Sequence, residues 1–94
     1  MSIAIDLRGE KALVTGAGAG IGREIAIWLA KAGATVVVND LVPERAESVV
    51  KEISQNGGEA FAVPADCRDD TAVDELVKRS VVVMGGLSIA VNNV

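Results

Sequence analysis

The sequence predicts a three-layer α/β fold: a parallel sheet of four strands in the order 3-2-1-4, with helices on both faces. Three observations lead there. Short, continuously apolar runs alternate with longer segments whose apolar residues recur every three or four positions. Such runs suit strands covered on both faces, and such spacings suit amphipathic helices. The first run stops at a glycine-dense turn, Gly16-Ala17-Gly18-Ala19-Gly20-Ile21-Gly22, and a helical pattern follows at once. Strand and helix then keep alternating to the end of the chain, which calls for right-handed crossovers between parallel strands. Two steps to one side and a return past the first strand give the order 3-2-1-4.

Each element has its own justification. Ile3 and Ile5 flank a polar lead-in, and Lys11 to Thr15 forms the first strand around Ala12, Leu13 and Val14. After the glycines, Ile21, Ile25, Trp28, Leu29 and Ala32 predict one buried helical stripe, ended by Gly33. Thr35 to Val38 is the second strand, and Asp40 closes it. Pro43 opens the next helix, where its missing N–H costs nothing. Ala46, Val49, Val50 and Ile53 are its inner face, and Gly57-Gly58 stops it. Glu59 to Val63 is the third strand. Asp69 or Asp70 caps a third helix whose predicted stripe is Val73, Leu76, Val77, Ser80, Val81 and Met84. Gly85-Gly86 breaks it before the fourth strand, Leu87 to Val91. Two helices then cover one face of the sheet and one helix the other. That leaves an uncovered apolar face, an open edge at the fourth strand, and Val82 and Val83 outside the third helix's stripe. Such a surface predicts association with a partner or another copy, and the chain reads as part of a fold.

Composition narrows the function. The 94 residues form at most one domain, half of them hydrophobic, which argues against disorder. The chain has no histidine and so lacks the commonest metal ligand and general base. The single cysteine, Cys67, excludes an internal disulfide and suits a reducing compartment. A net charge of −4 argues against a nucleic-acid partner. Neither a signal peptide nor an apolar stretch of membrane-spanning length is evident, so the expected location is the cytoplasm. The acidic residues Asp69, Asp70, Asp74 and Glu75 suit a helix N-terminus and not a metal cluster.

The glycine turn carries the chemistry. A parallel strand delivers it to the carboxyl edge of the sheet, where open α/β sheets bind ligands beside the reversal in strand order. Gly16 suits a tight bend, Gly20 lets a phosphate approach the backbone, and Gly22 lets the helix lie close to the strand. The helix then starts with unpaired N–H groups and a partial positive charge, which favour an anion. A dinucleotide diphosphate fits this order of elements.

Thr15-Gly16-Ala17-Gly18-Ala19-Gly20-Ile21-Gly22 resembles the TGxxxGxG pattern of the short-chain dehydrogenase/reductase family. The likeness continues in Asp40 after the second strand and Asp66 after the third, and in Asn92-Asn93, the Asn-Asn of the family's NNAG motif. These landmarks cover nearly the whole chain. The resemblance implies a Rossmann-type, dinucleotide-binding portion over residues 1–94. In it Gly16, Gly20 and Gly22 frame the pyrophosphate and the backbone of Ile21 faces it. Asp40 accepts hydrogen bonds from the adenosine ribose and disfavours a 2′-phosphate, so NAD is expected over NADP. Asp66 bonds the adenine amino group with Cys67 beside it, and Asn92 ties the fourth strand to the glycine loop. The residues themselves also allow Asp66 as a helix-capping acid, Asn92 as an ordinary loop residue and Cys67 as a small space-filler. Gly18 and Ala19 stand where many relatives have serine, Ser88 where a common pattern has aspartate, and Val94 where NNAG has alanine.

The same resemblance implies an oxidoreductase acting at an alcohol or ketone carbon through a tyrosine, a lysine and a serine downstream of NNAG. The chain contains no tyrosine, so the family's YxxxK motif is absent and the chain alone is expected to be inactive. A small-molecule substrate is expected only in a complete protein. Two alternatives stay open: a non-catalytic segment that self-associates through its bare face and edge strand, and an S-adenosylmethionine-binding methyltransferase fragment.

Overall fold

The computed structural model describes residues 5–93; Ile3 and Val94, both used above, lie outside them. Lys11–Val14 (β1), Gly20–Lys31 (α1), Thr35–Val38 (β2), Pro43–Gln55 (α2), Glu59–Ala62 (β3), Asp70–Met84 (α3) and Ile89–Val91 (β4) follow one another in the chain. The strands form one parallel sheet in the order β3-β2-β1-β4, as the sequence predicts. Register is direct: Val14 pairs with Val38 on one side and Val91 on the other, and Val38 pairs with Ala62. All four strands therefore end at one level, and the loops after β1, β2, β3 and β4 meet there.

Alternation along the strands decides the two faces. Ala12, Val14, Val36 and Val38 point to α1 and α2 and join Ala26, Leu29, Ala46, Val49 and Ile53 in the larger core. Leu13 and Val37 point the other way and pack with Val63, Leu76 and Met84, beneath α3. Local signals place the helix ends. Pro43 occupies the start of α2, Asp69 caps α3 by accepting the Thr71 N–H at 2.9 Å, and Gly85 ends α3 in the left-handed region at φ +77°. The start of β4 depends on a side chain. The Lys11 N–H donates to the Ser88 hydroxyl at 2.8 Å, while the Ser88 N–H donates to the Lys11 carbonyl.

Two predicted stripes need correction. In α1 the buried residues are Gly22, Ala26, Ile27, Leu29 and Ala30, whereas Ile21 and Trp28 are 74% and 52% exposed. The cause is the glycine loop. It brings Gly22 so close to Gly16 that a Cβ there would overlap the Gly16 carbonyl oxygen. The side of the helix carrying Gly22, Ala26 and Ala30 must then face the sheet, because only small residues permit that approach, and the bulky Ile21 and Trp28 are turned onto a flank. In α3 the buried line narrows to Leu76, Ser80 and Met84, with Val77 and Val81 exposed. Among the described residues α3 is the single helix on that face, with no neighbouring helix to cover a wider stripe. Val82 is 80% exposed, and Ala90 of β4 is also open on this face. No helix among the described residues is long and apolar enough to cross a membrane.

Candidate functional site

At the carboxyl edge the loop after β1 turns twice through the left-handed region, at Gly16 (φ +60°) and Gly20 (φ +58°). These are conformations that glycine adopts at little cost. Between them Ala17 is fully buried, and its N–H donates to the Asn39 carbonyl at 2.6 Å. The turn ends at Ala19, which is extended and offers no capping side chain, and the first turn of α1 carries no acidic residue. Among the described residues, no carboxylate or hydroxyl caps the N–H groups that open α1. This is the electrostatic arrangement that accepts a phosphate.

Gly16, Asp40, Asp66 and Cys67 line one cleft of about 300 Å³, together with Asn39, Leu41, Ala65 and Arg68. Gly20 and Ile21 stand at the start of α1, beside the loop, with the Ile21 side chain in solvent and Gly22 buried behind. Asp40 is 9% exposed and its carboxylate is fixed at both oxygens. Oδ1 accepts the Gly18 N–H at 3.2 Å and Oδ2 accepts the Val42 N–H at 3.0 Å. Asp66 is held by Arg68, which donates from Nε to Oδ1, from Nη2 to Oδ2 and from its backbone N–H to Oδ1, at 2.9–3.0 Å. These hydrogen bonds lower its pKa to about 2. The carboxylate is ionised at any physiological pH, and Oδ2, with one partner, keeps acceptor capacity. Cys67 behaves oppositely: burial, and then the adjacent Asp66 charge, raise its thiol pKa, which keeps it a weakly nucleophilic thiol.

Three residues matter more here than sequence reasoning assigned. Asn39 is 1% exposed and all its amide positions are used. Its Oδ1 accepts the Gly16 N–H at 3.3 Å and the Cys67 thiol at 3.2 Å, and its Nδ2 donates to the carbonyls of Val63 (3.0 Å) and Ala65 (3.3 Å). One buried amide thus joins the glycine loop to the loop after β3. Its signal in the sequence was a polar residue directly following Thr35-Val36-Val37-Val38. The tie between the fourth strand and the glycine loop is shared. Asn92 Oδ1 accepts from the Thr15 hydroxyl at 3.3 Å, while Asn93 reaches the loop itself, donating from Nδ2 to the Gly16 carbonyl at 3.2 Å. The Asn93 N–H also donates to the Thr15 hydroxyl at 2.9 Å. Gly18 sits against Asp40 and Arg45. Arg23, near the loop in sequence, is bound by Glu24 at 2.8 Å and by Glu52 of α2, an ion-pair link between helices.

This sheet order and glycine loop belong to a known class. The family model of the short chain dehydrogenase matches residues 10–94, and the chain belongs to that family. The methyltransferase alternative is thereby set aside. The chain is 47% identical over 87 residues to a 7alpha-hydroxysteroid dehydrogenase of Escherichia coli (strain K12), a match covering 93% of this chain and 34% of the relative. It is 42% identical over 86 residues to a 2,3-dihydro-2,3-dihydroxybenzoate dehydrogenase of Bacillus subtilis (strain 168), covering 92% of this chain and 33% of that protein. Among solved structures, a 7 alpha-hydroxysteroid dehydrogenase complexed with NADH and 7-oxo glycochenodeoxycholic acid superposes with a TM-score of 0.90 at 44% identity. That likeness covers 93% of this chain and 34% of the other. The chain thus spans about a third of the length of each of these two dehydrogenases.

Proposed function

We propose that this chain is the NAD-binding portion of an oxidoreductase acting on an alcohol or ketone. The observation that carries the reading is the meeting, in one cleft, of Gly16 of the glycine loop with a buried, backbone-held carboxylate, Asp40. In this reading Gly16, Gly20 and Gly22 shape the loop around the diphosphate and the Ile21 N–H faces it. Asp40 accepts from the adenosine ribose hydroxyls, and its charge repels the 2′-phosphate of NADP. Asp66 takes the adenine amino group on its free acceptor site, with Cys67 filling space beside it. Asn92 and Asn93 hold β4 to the loop. The complex of a relative with NADH supports a nicotinamide dinucleotide, and the choice of NAD rests on Asp40. The relatives' names cover a hydroxysteroid and a dihydroxybenzoate derivative, so the proposed substrate is a class, a secondary alcohol or its ketone, handled by residues beyond this segment. With no tyrosine in its 94 residues, this chain binds the cofactor without turning over.

The test is a titration of the chain with NADH, followed by quenching of Trp28, with NADPH as the control. Trp28 is the single tryptophan and lies on α1, and reduced nicotinamide absorbs where it emits. Saturable quenching by NADH, stronger than by NADPH, is expected; its absence, or a preference for NADPH, overturns the reading. A second reading, self-association through the open side of the sheet, is favoured by Val82, exposed at 80% beside the half-exposed Val81 and Val83.

A further inference from the structure

Seven of the chain's ten glycines have φ in the left-handed region; Gly18 is not among them. Its φ is not positive, so a left-handed turn does not explain the glycine. Clearance does. A Cβ on Gly18 would lie 2.6 Å from Asp40 Cγ, 2.8 Å from Asp40 Oδ1 and 2.6 Å from Arg45 Cβ. Neither neighbour yields cheaply. The Arg45 Cβ is fixed to the backbone of α2, and the Asp40 carboxyl is a short side chain pinned by the Val42 N–H on one oxygen and the Gly18 N–H on the other. A side chain at position 18 must therefore push α2 outward or turn the Asp40 carboxylate out of its two backbone bonds.

We propose that Gly18 is a specificity-determining positioning residue: its bare Cα and N–H hold the Asp40 carboxylate at the ribose end of the cleft, and so set the choice between a 2′-hydroxyl and a 2′-phosphate. The proposal rests on the reading of Asp40 as the ribose acceptor. A serine at this position would do more than add a hydroxyl near the cofactor, because it would move the carboxylate that selects it.

The experiment measures NADH and NADPH affinities of the wild-type chain, Gly18→Ala and Asp40→Ala by quenching of Trp28. Gly18→Ala is expected to weaken NADH binding about tenfold, the scale of a lost hydrogen bond to a charged group, and NADPH binding little. The preference ratio then falls toward that of Asp40→Ala. A purely structural role would weaken both ligands equally and leave the ratio unchanged. If the ratio moves in Asp40→Ala but not in Gly18→Ala, the Gly18 proposal is overturned and the Asp40 reading stands. If it moves in neither, or if the wild type shows no preference, the Asp40 reading fails and this proposal with it. Should Gly18→Ala not fold, the Gly18 amide proton of the wild-type chain decides. Its NMR shift is expected downfield, as for a carboxylate-bound N–H, and should move upfield in Asp40→Ala; an unmoved shift overturns the proposal.

Discussion

Asn39 concentrates the dependence of this site on a single side chain. Its amide saturates two donors and two acceptors inside the protein and bridges Gly16 to Val63, Ala65 and Cys67. A buried polar group gains little over water when paired but costs its full desolvation when its partner is removed. Replacing Asn39 with leucine, similar in shape, strands the Val63 and Ala65 carbonyls and the Gly16 N–H together. We expect Asn39→Leu to destabilise the chain by about 3 kcal/mol, read as a lower urea midpoint by circular dichroism. An unchanged midpoint would mean that these groups find water instead. Asp66 and Arg68 stand at the other extreme. Their pair is solvent-exposed, with Arg68 76% exposed, so its consequence is the ionisation of Asp66 and not the stability of the fold.

At the scale of elements, α1 shows how a backbone constraint outranks side-chain size. Close approach at Gly22 turns Ala26 and Ala30 inward and Trp28 outward. Ala26 is fully buried between helix and sheet, whereas Trp28 is half in solvent. The expected order of effects is therefore the reverse of residue size. Ala26→Leu should cost about 2–3 kcal/mol through overpacking, and Trp28→Ala less than about 1 kcal/mol, both from urea unfolding followed by circular dichroism. Trp28→Ala as the costlier change would restore the tryptophan to the core. The same contrast marks what the sequence could convey. Strand positions, helix starts at Pro43 and Asp69, and the sheet order follow from periodicity, capping chemistry and the handedness of crossovers, all local or topological rules. Which face of α1 turns inward depends on the distance between Gly16 and Gly22, a product of the folded turn. The candidate site divides likewise. The glycines, Asp40 and Asp66 stand at positions that a motif describes, while Asn39 and Gly18 act through reach and clearance across 23 and 22 residues of sequence.

For the whole molecule the imbalance between the two faces of the sheet is the governing fact. α1 and α2 close one face over the larger core, while α3 lies alone on the other over Leu13 and Val37. To the side of α3, Ala90 of the edge strand β4 is open, and Val77, Val81, Val82 and Val83 stand in solvent along the helix. Apolar area of this kind gains about 25 cal/mol per Å² when covered, and an edge strand adds unpaired backbone groups that a second strand can satisfy. Val82 is the most exposed of these residues, and Lys78 and Arg79 nearby show that the surface tolerates a long cationic side chain. A lysine at this position faces water and removes no core contact, so Val82→Lys should leave the urea midpoint within about 0.5 kcal/mol of the parent. It should nonetheless lower the apparent mass of the chain in light scattering at high concentration, because bringing two copies together would then desolvate like charges. A parent chain that is monomeric over the same range would show that the uncovered face, although apolar, does not drive association on its own. An associated parent unaffected by Val82→Lys would place the contact elsewhere, with the edge of β4 as the surface to alter next.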